Sequence, residues 1–420
     1  MSGESPVPIG SRMRWFLALV TALAVGVAPC AAAPQPAADW SLVPKTVSLL
    51  RASIDALATR AGPHDQQYFA NGIWHSADDT GLWDYQVGPG AAAAVLWRTT
   101  GERDQHLFEL AVQTFDRAIA DHRLPDGSFG PGPDPKPDTQ STDIATIWFG
   151  TELGTTYLEL APALGATRRA QWLRALTGGA DWLIRHDLTW YVNGNDNLGQ
   201  AELYYLAWRA SGKANYQHAY NTELSFTLDP PQDRWKGFGL HLLDPAGAST
   251  RTPMRTVRLL GPAGYIAESG GGAPGFDPYY TQTQLDALTR LYVLSHDPRV
   301  LRVANLLVNA ELPLVDSTWW LNTSDGTRHT LPNAHAPFIT PALAVLGLLG
   351  LRPDLAQLAP SQFGLIDLHY RGVTGYAPPD YMGLSDEVAV ILQAAAVADR
   401  QASRTTISQL APLARPTQGA

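Results

Sequence analysis

Three stretches of this chain share one form, and it constrains the fold more than any other feature. They are Leu96-Trp-Arg-Thr-Thr-Gly-Glu-Arg-Asp104, Leu206-Ala-Trp-Arg-Ala-Ser-Gly-Lys-Ala214 and Leu291-Tyr-Val-Leu-Ser-His-Asp-Pro-Arg299. Each is the apolar end of a helix, a short Gly or Asp turn, and the start of a new amphipathic helix: a helical hairpin. Apolar residues recur at three- and four-residue spacing in 40–57, 91–98, 106–122, 143–160, 168–186, 200–210, 284–294, 299–310, 341–349 and 385–398. Strict alternation is scarce, and the abundant Ala and Leu favour helix. The pattern predicts an all-α chain. Many hairpins in one chain predict an (α/α)n toroid or barrel whose inner helices line a cavity. An irregular bundle is the plainer alternative.

Longer segments rich in Gly, Pro, Asn or Trp interrupt the hairpins at 126–142, 189–197, 229–239, 244–275 and 315–336. Long loops in a compact domain often carry function. No clean linker separates them, so one domain is expected over 38–398, followed by a polar, frayed tail over 399–420.

The start of the chain reads as an export signal over 1–33. Arg12 and Arg14 precede an apolar run from Trp15 to Val27, and Ala31-Ala32-Ala33 supplies small residues for cleavage. Met13 is an alternative start. The apolar run is too short and wrongly flanked for a membrane span. The expected mature protein is soluble, and secreted, periplasmic or cell-envelope associated. Cys30, the single cysteine, follows Pro29, a poor context for lipid attachment. Its removal leaves no thiol for disulfides, thiolate catalysis or Cys-zinc sites. Net charge is −9, which argues against a uniformly basic nucleic-acid binder.

Four segments hold side chains that suit a glycan site. The first runs from Tyr265 through Glu268 and Gly275-Phe-Asp277-Pro to Tyr279-Tyr280 and Gln282. Its glycines let the backbone approach a ligand closely, and the tyrosines open an apolar helical segment. A Gly-rich connector with two core tyrosines is the plainer reading. The second is Trp190-Tyr-Val-Asn193-Gly-Asn195-Asp196-Asn197, just before a helix. Asp196 or Asn197 suits a helix cap, yet three amides exceed what one cap needs, and amides bind carboxylates and hydroxyls. The third holds Trp74, His75, Asp78, Asp79 and Trp83. It offers a general base, an acid pair and sugar platforms, or a solvated turn. The fourth, Trp319 to His329, holds Asp325-Gly326, which reads as a hairpin turn. Arg328 there suits a carboxylate by its bidentate fork, and His329 titrates near neutrality. The sequence holds no Walker loop, paired-His metal helix or Gly-x-Ser-x-Gly elbow.

Tyr, Asn, His and Arg in these segments, on an α/α scaffold in an exported chain, resemble the uronate polysaccharide lyases, the α/α-barrel alginate and glucuronan lyases being nearest in kind. The compact Asn-Asn-His signature of some alginate lyases is absent. The resemblance implies β-elimination on an acidic polysaccharide, without a cofactor. Tyr280, with Tyr279 as second choice, would transfer the proton. Asn195 and Asn197, with Arg328, would neutralise the substrate carboxylate, and Asn193 would join them in binding. His75 or His329 would be the partner base. Trp74, Trp83, Trp190 and Asp277 would complete the binding surface. The same toroid also suits a glycoside hydrolase, with Glu268 and one of Asp78, Asp79 or Asp196 as its two carboxylates. A secreted sugar-binding protein without turnover is the third reading.

Overall fold

Twelve helices dominate the described residues of this computed structural model. Those residues are 40–59, 67–70, 73–76, 87–130, 142–186, 194–229, 239–243, 249–253, 260, 264–268, 275–324, 326, 334–370 and 385–402, with backbone alone at 56–59, 67–70, 73–76, 239–243, 249–253, 385–386 and 400–402. The export segment, the end of the tail, Asp78, Asp79, Trp83, Trp190, Asn193, Asp325, Arg328 and His329 lie outside them. All described residues fall in one compact unit, Ala37–Ala420. Among them, no helix is long and apolar enough to cross a membrane.

The helices alternate between two layers. The outer layer comprises α1 (Leu42–Thr59), α3 (Gln105–His122), α5 (Ala166–His186), α7 (Ala214–Leu228), α9 (Pro298–Glu311) and α11 (Pro353–Tyr370). The inner layer comprises α2 (Gly88–Thr99), α4 (Thr142–Leu160), α6 (Gly194–Ser211), α8 (Pro278–Ser295), α10 (Ala342–Leu348) and α12 (Ser385–Ala402). Each inner helix packs on the next inner helix, and α12 returns to α2, so the inner layer closes into a ring. This is the (α/α) toroid that the hairpin pattern predicts.

Burial explains which helix goes where. Outer α3 keeps one apolar stripe, with Leu107, Leu110, Ala111, Phe115, Ala118 and Ile119 buried and polar residues outside. Inner α6 is buried on every side from Gly194 to Ala207. Between the layers, Phe115 packs 5.6 Å from Trp172 and 5.9 Å from Phe149, which meets Phe129 at 4.5 Å. Each such side chain contributes about 1.5–3 kcal/mol by leaving water. The buried Trp172 indole donates to Asp116 at 2.7 Å, so its polar atom is satisfied.

Among the described residues, three antiparallel strand pairs sit between helices. They are β1 (Gln67–Ala70) with β2 (Ile73–Ser76), β3 (Gly239–Leu243) with β4 (Ser249–Pro253), and β5 (Trp320–Asn322) with β6 (His335–Pro337). In the first pair Trp74 and His75 are strand residues opposite Phe69 and Tyr68, and the turn reading of Asp78 and Asp79 lies outside the described residues. The third corrects the tight hairpin expected at Asp325-Gly326. Asn322 pairs with His335, so the connection is long, and Gly326 closes a turn by donating to the Thr323 carbonyl at 3.1 Å.

Helix bounds differ from the periodicity in four places. Helix α6 begins at Gly194, so Asn195, Asp196 and Asn197 belong to its first turn rather than to the preceding loop. Helix α8 begins at Pro278 and takes in both tyrosines. Helix α12 continues to Ala402, with Asp399 buried, past the expected start of the tail. Helix α11 was not expected as a helix. It carries Pro360 in its interior, which broke the periodic signal.

Candidate functional site

The connectors are unequal, and the inequality picks one face of the ring. Inner-to-outer links are short: 100–104, 161–165, 212–213, 296–297 and 349–352. Outer-to-inner links are 60–87, 123–141, 187–193, 229–277, 312–341 and 371–384. The longer ones therefore end where the inner helices begin, and there the N-terminal ends of those helices face the mouth. Deeper in, the axis is filled. Arg290 of α8 donates to Glu202 of α6 at 2.6 Å and lies 3.9 Å from Glu152 of α4. Gln393 of α12 donates to Glu159 of α4 at 2.9 Å.

Helices α4 and α6 run parallel at unusually close range, because glycines line their seam. A Cβ on Gly199 would lie 2.8 Å from Ile147 Cγ2. One on Gly150 would lie 2.8 Å from Leu203, and one on Gly154 would lie 2.7 Å from Leu206. The rungs are thus 147/199, 150/203 and 154/206. One turn toward the mouth, the next rung carries Asp143 on α4 and Asp196 on α6, each in the first turn of its helix. Packed helix axes lie roughly 8–10 Å apart. Glycosidases use two carboxylates about 5–9.5 Å apart. Asp143 is partly open, whereas Asp196 is 3% exposed and accepts from the Trp148 indole N–H at 3.2 Å.

Ile266, Ala267 and Glu268, which lead into the Gly-rich stretch, pack against the start of α6. Glu268 pairs with Gly275 through two backbone hydrogen bonds, 2.8 and 3.0 Å. Its carboxylate accepts from the Asn195 N–H at 2.9 Å and from Gln284 Nε2 at 2.7 Å. The Gly194 N–H donates to the Ala267 carbonyl at 3.1 Å, and a Cβ on Gly194 would lie 2.4 Å from Ile266 Cγ2. Only glycine fits there. Glu268 therefore caps α6 from a distant part of the chain. It is fully buried, and its carboxylate serves the start of α6.

Two further expected site residues are fully buried as well. Asn197 is fully buried and donates to Glu223 of outer helix α7 at 2.8 Å. Neither it nor Asp196 is the N-cap. Asp277 is fully buried and caps α8, accepting from the Tyr280 N–H at 3.1 Å. Gly326 sits against it, where a Cβ would lie 2.7 Å from Asp277 Oδ2. Behind this cap, burial holds Glu311 well above the usual carboxylate range; the Thr281 hydroxyl partly offsets this and the Asp277 charge adds to it.

Of the expected site residues, Asn195 lies buried in the first turn of α6, and Tyr279 and Tyr280 lie in the first turn of α8. The tyrosine rings meet edge to face at 5.9 Å, both partly buried. Gln284 is level with Gly194, so Tyr280 stands about 6 Å, one turn, beyond the start of α6. For His75 and Trp74 the backbone alone is described. Asp143 was missed by the sequence reading, and only the α4/α6 register reveals it. Among the described residues, no group of three or more His, Cys, Asp or Glu gathers as a metal site would.

The ring and its one-sided connectors define a toroid of helical hairpins. Solved structures with similar folds include a mutant unsaturated glucuronyl hydrolase from Streptococcus agalactiae, at TM-score 0.52 and 11% identity over 84% of this chain and 91% of that one. A second mutant of that hydrolase matches at TM-score 0.50, with 11% identity and the same coverage. A family 76 glycoside hydrolase (mannosidase) from Bacteroides thetaiotaomicron matches at TM-score 0.45, with 12% identity over 86% of this chain and 100% of that one. No family model and no curated protein matches the chain.

Proposed function

We propose that the protein is a glycoside hydrolase of the α/α-toroid class, with Asp143 and Asp196 as its acid/base pair. The observation that carries this reading is the shared rung at the mouth of the α4/α6 seam. Hydrolysis of a glycosidic bond needs two carboxylates at a set separation. Access divides the roles. Asp143, partly open, meets the water or the sugar carbon, and Asp196, beneath Trp148, delivers the proton to the leaving oxygen. The pair replaces the expected one built on Glu268. The substrate is an oligosaccharide held at the mouth. A fold neighbour named as a hydrolase of unsaturated glucuronyl groups supports putting hydrolysis ahead of elimination. Export belongs to the same proposal and rests on the segment from Arg12 to Ala33.

The test is a panel of mannan, glucuronan, alginate and unsaturated glucuronyl disaccharides, read for new reducing ends and for ultraviolet absorbance. New reducing ends without new unsaturation are expected. Asp143→Asn and Asp196→Asn should each lower turnover by about 10²–10⁴. Rising absorbance on a uronate polymer would establish elimination by Tyr280 instead. Unchanged turnover in both aspartate variants would remove the pair.

A further inference from the structure

We infer that Trp148 is a sugar-binding residue that also positions Asp196: the indole N–H holds the carboxylate while its open ring face takes the apolar face of a pyranose. The inference rests on the acid-pair reading and deepens it.

Three observations place Trp148. It belongs to the stripe Ile144, Trp148, Glu152, Glu159, whose last two members meet Arg290 and Gln393 of other inner helices, so this stripe faces the axis. It is partly buried, on a helix where most neighbours are fully covered. Both edges of its ring are engaged. The pyrrole edge donates to Asp196 Oδ1 at 3.2 Å, and the benzo edge lies over the bare backbone of Gly199, with Cη2 and Cζ3 3.4 Å from where a Cβ would be. With both edges occupied, the part of the indole left open is a face. An indole face suits the C–H-rich face of a sugar ring, whose hydroxyls point sideways to polar groups. A sugar on that face lies beside Asp196, where a proton donor must be. Ligand contact and carboxylate orientation thus depend on one rigid side chain, which is what positioning within a few tenths of an ångström requires.

The experiment follows indole N–H resonances of the full chain, labelled with nitrogen-15, in wild type, Trp148→Phe and Asp196→Asn. Methyl mannoside, methyl glucoside and methyl glucuronide are the probes. The signal missing in Trp148→Phe should move in Asp196→Asn, and should move again when one of the sugars binds. An identical shift in wild type and Asp196→Asn would overturn the hydrogen bond. Sugar-induced shifts confined to other indoles, or no shift with any probe, would overturn the platform. Kinetics separate the two roles on whichever panel substrate is cleaved. Trp148→Phe keeps a ring but loses the N–H, so kcat should fall about ten- to a hundredfold with KM nearly unchanged. Trp148→Ala should also raise KM about three- to tenfold. Loss of the hydrolase reading would show as unchanged turnover in both aspartate variants, whereas loss of this inference would show in the indole signals alone.

Discussion

Two Gly→Ala changes should have opposite effects, and the contrast tests the seam on which the proposed site stands. Replacing Gly by Ala in a helix interior relieves backbone entropy and stabilises by about 0.5–1 kcal/mol where space allows. Gly364 on α11 is exposed, with nothing within 4 Å of its would-be Cβ. Gly364→Ala should therefore stabilise by about that amount. At Gly199 the new methyl would lie 2.8 Å from Ile147 Cγ2, against roughly 3.5–4.0 Å for relaxed carbon contact. About 1 Å of movement between α4 and α6 is needed, and overpacking of this kind costs about 1–3 kcal/mol. Set against the entropy gain, a net loss of up to about 2.5 kcal/mol remains. The same movement displaces Asp196 against Asp143. Misplacement by ~1 Å costs on the order of 10² in turnover. Urea denaturation and reducing-end release on the two purified variants measure both effects. Equal stability and activity in Gly199→Ala and Gly364→Ala would refute the close seam and its rung.

Two further outcomes concern the interior and a third concerns Tyr280. Arg290→Met removes the guanidinium beside fully buried Glu202 and should destabilise by about 3–5 kcal/mol; adding Glu202→Leu should restore most of the loss in denaturation midpoints. Glu311 holds its proton well above the ordinary value of 4.5. Its stabilising contribution is full below that value and is lost as pH rises toward the folded one. Glu311→Gln should therefore match wild type near pH ~4 and exceed it in melting temperature by about pH 8, and equal melting curves throughout would refute the buried-proton account. Tyr280→Phe should keep turnover within about tenfold under the hydrolase reading, and its abolition would return Tyr280 to the chemistry.

The layers of the fold were legible because helix periodicity is local. Residues 106–122 show one apolar stripe, and that is how α3 packs. Helix α11 was hidden by Pro360, since a proline inside a periodic run reads as a stop. The site was less legible for a different reason. Asp143 sits in a first helical turn, where an acidic residue is ordinary, and its partner lies on another helix. The seam glycines, Gly150, Gly154 and Gly199, are the sequence signal that would have drawn α4 and α6 together. Glu268 was found for its loop, yet its capping of α6 depends on a contact between residues 73 positions apart. Asn197 read as site amide because nothing local shows that it turns toward α7.

The short connectors have a practical use. Gly101, Gly165, Gly212 and Gly350 each lie in one of them, with no atom within 4 Å of the would-be Cβ. All four stand on the side of the ring away from the mouth. Tethering the protein to a bead or electrode through a cysteine placed beside these turns would fix every molecule with its opening outward. The mature chain contributes no thiol of its own if cleavage follows Ala33, so the attachment would be unique. A long polymer could then reach each immobilised copy without threading past its support.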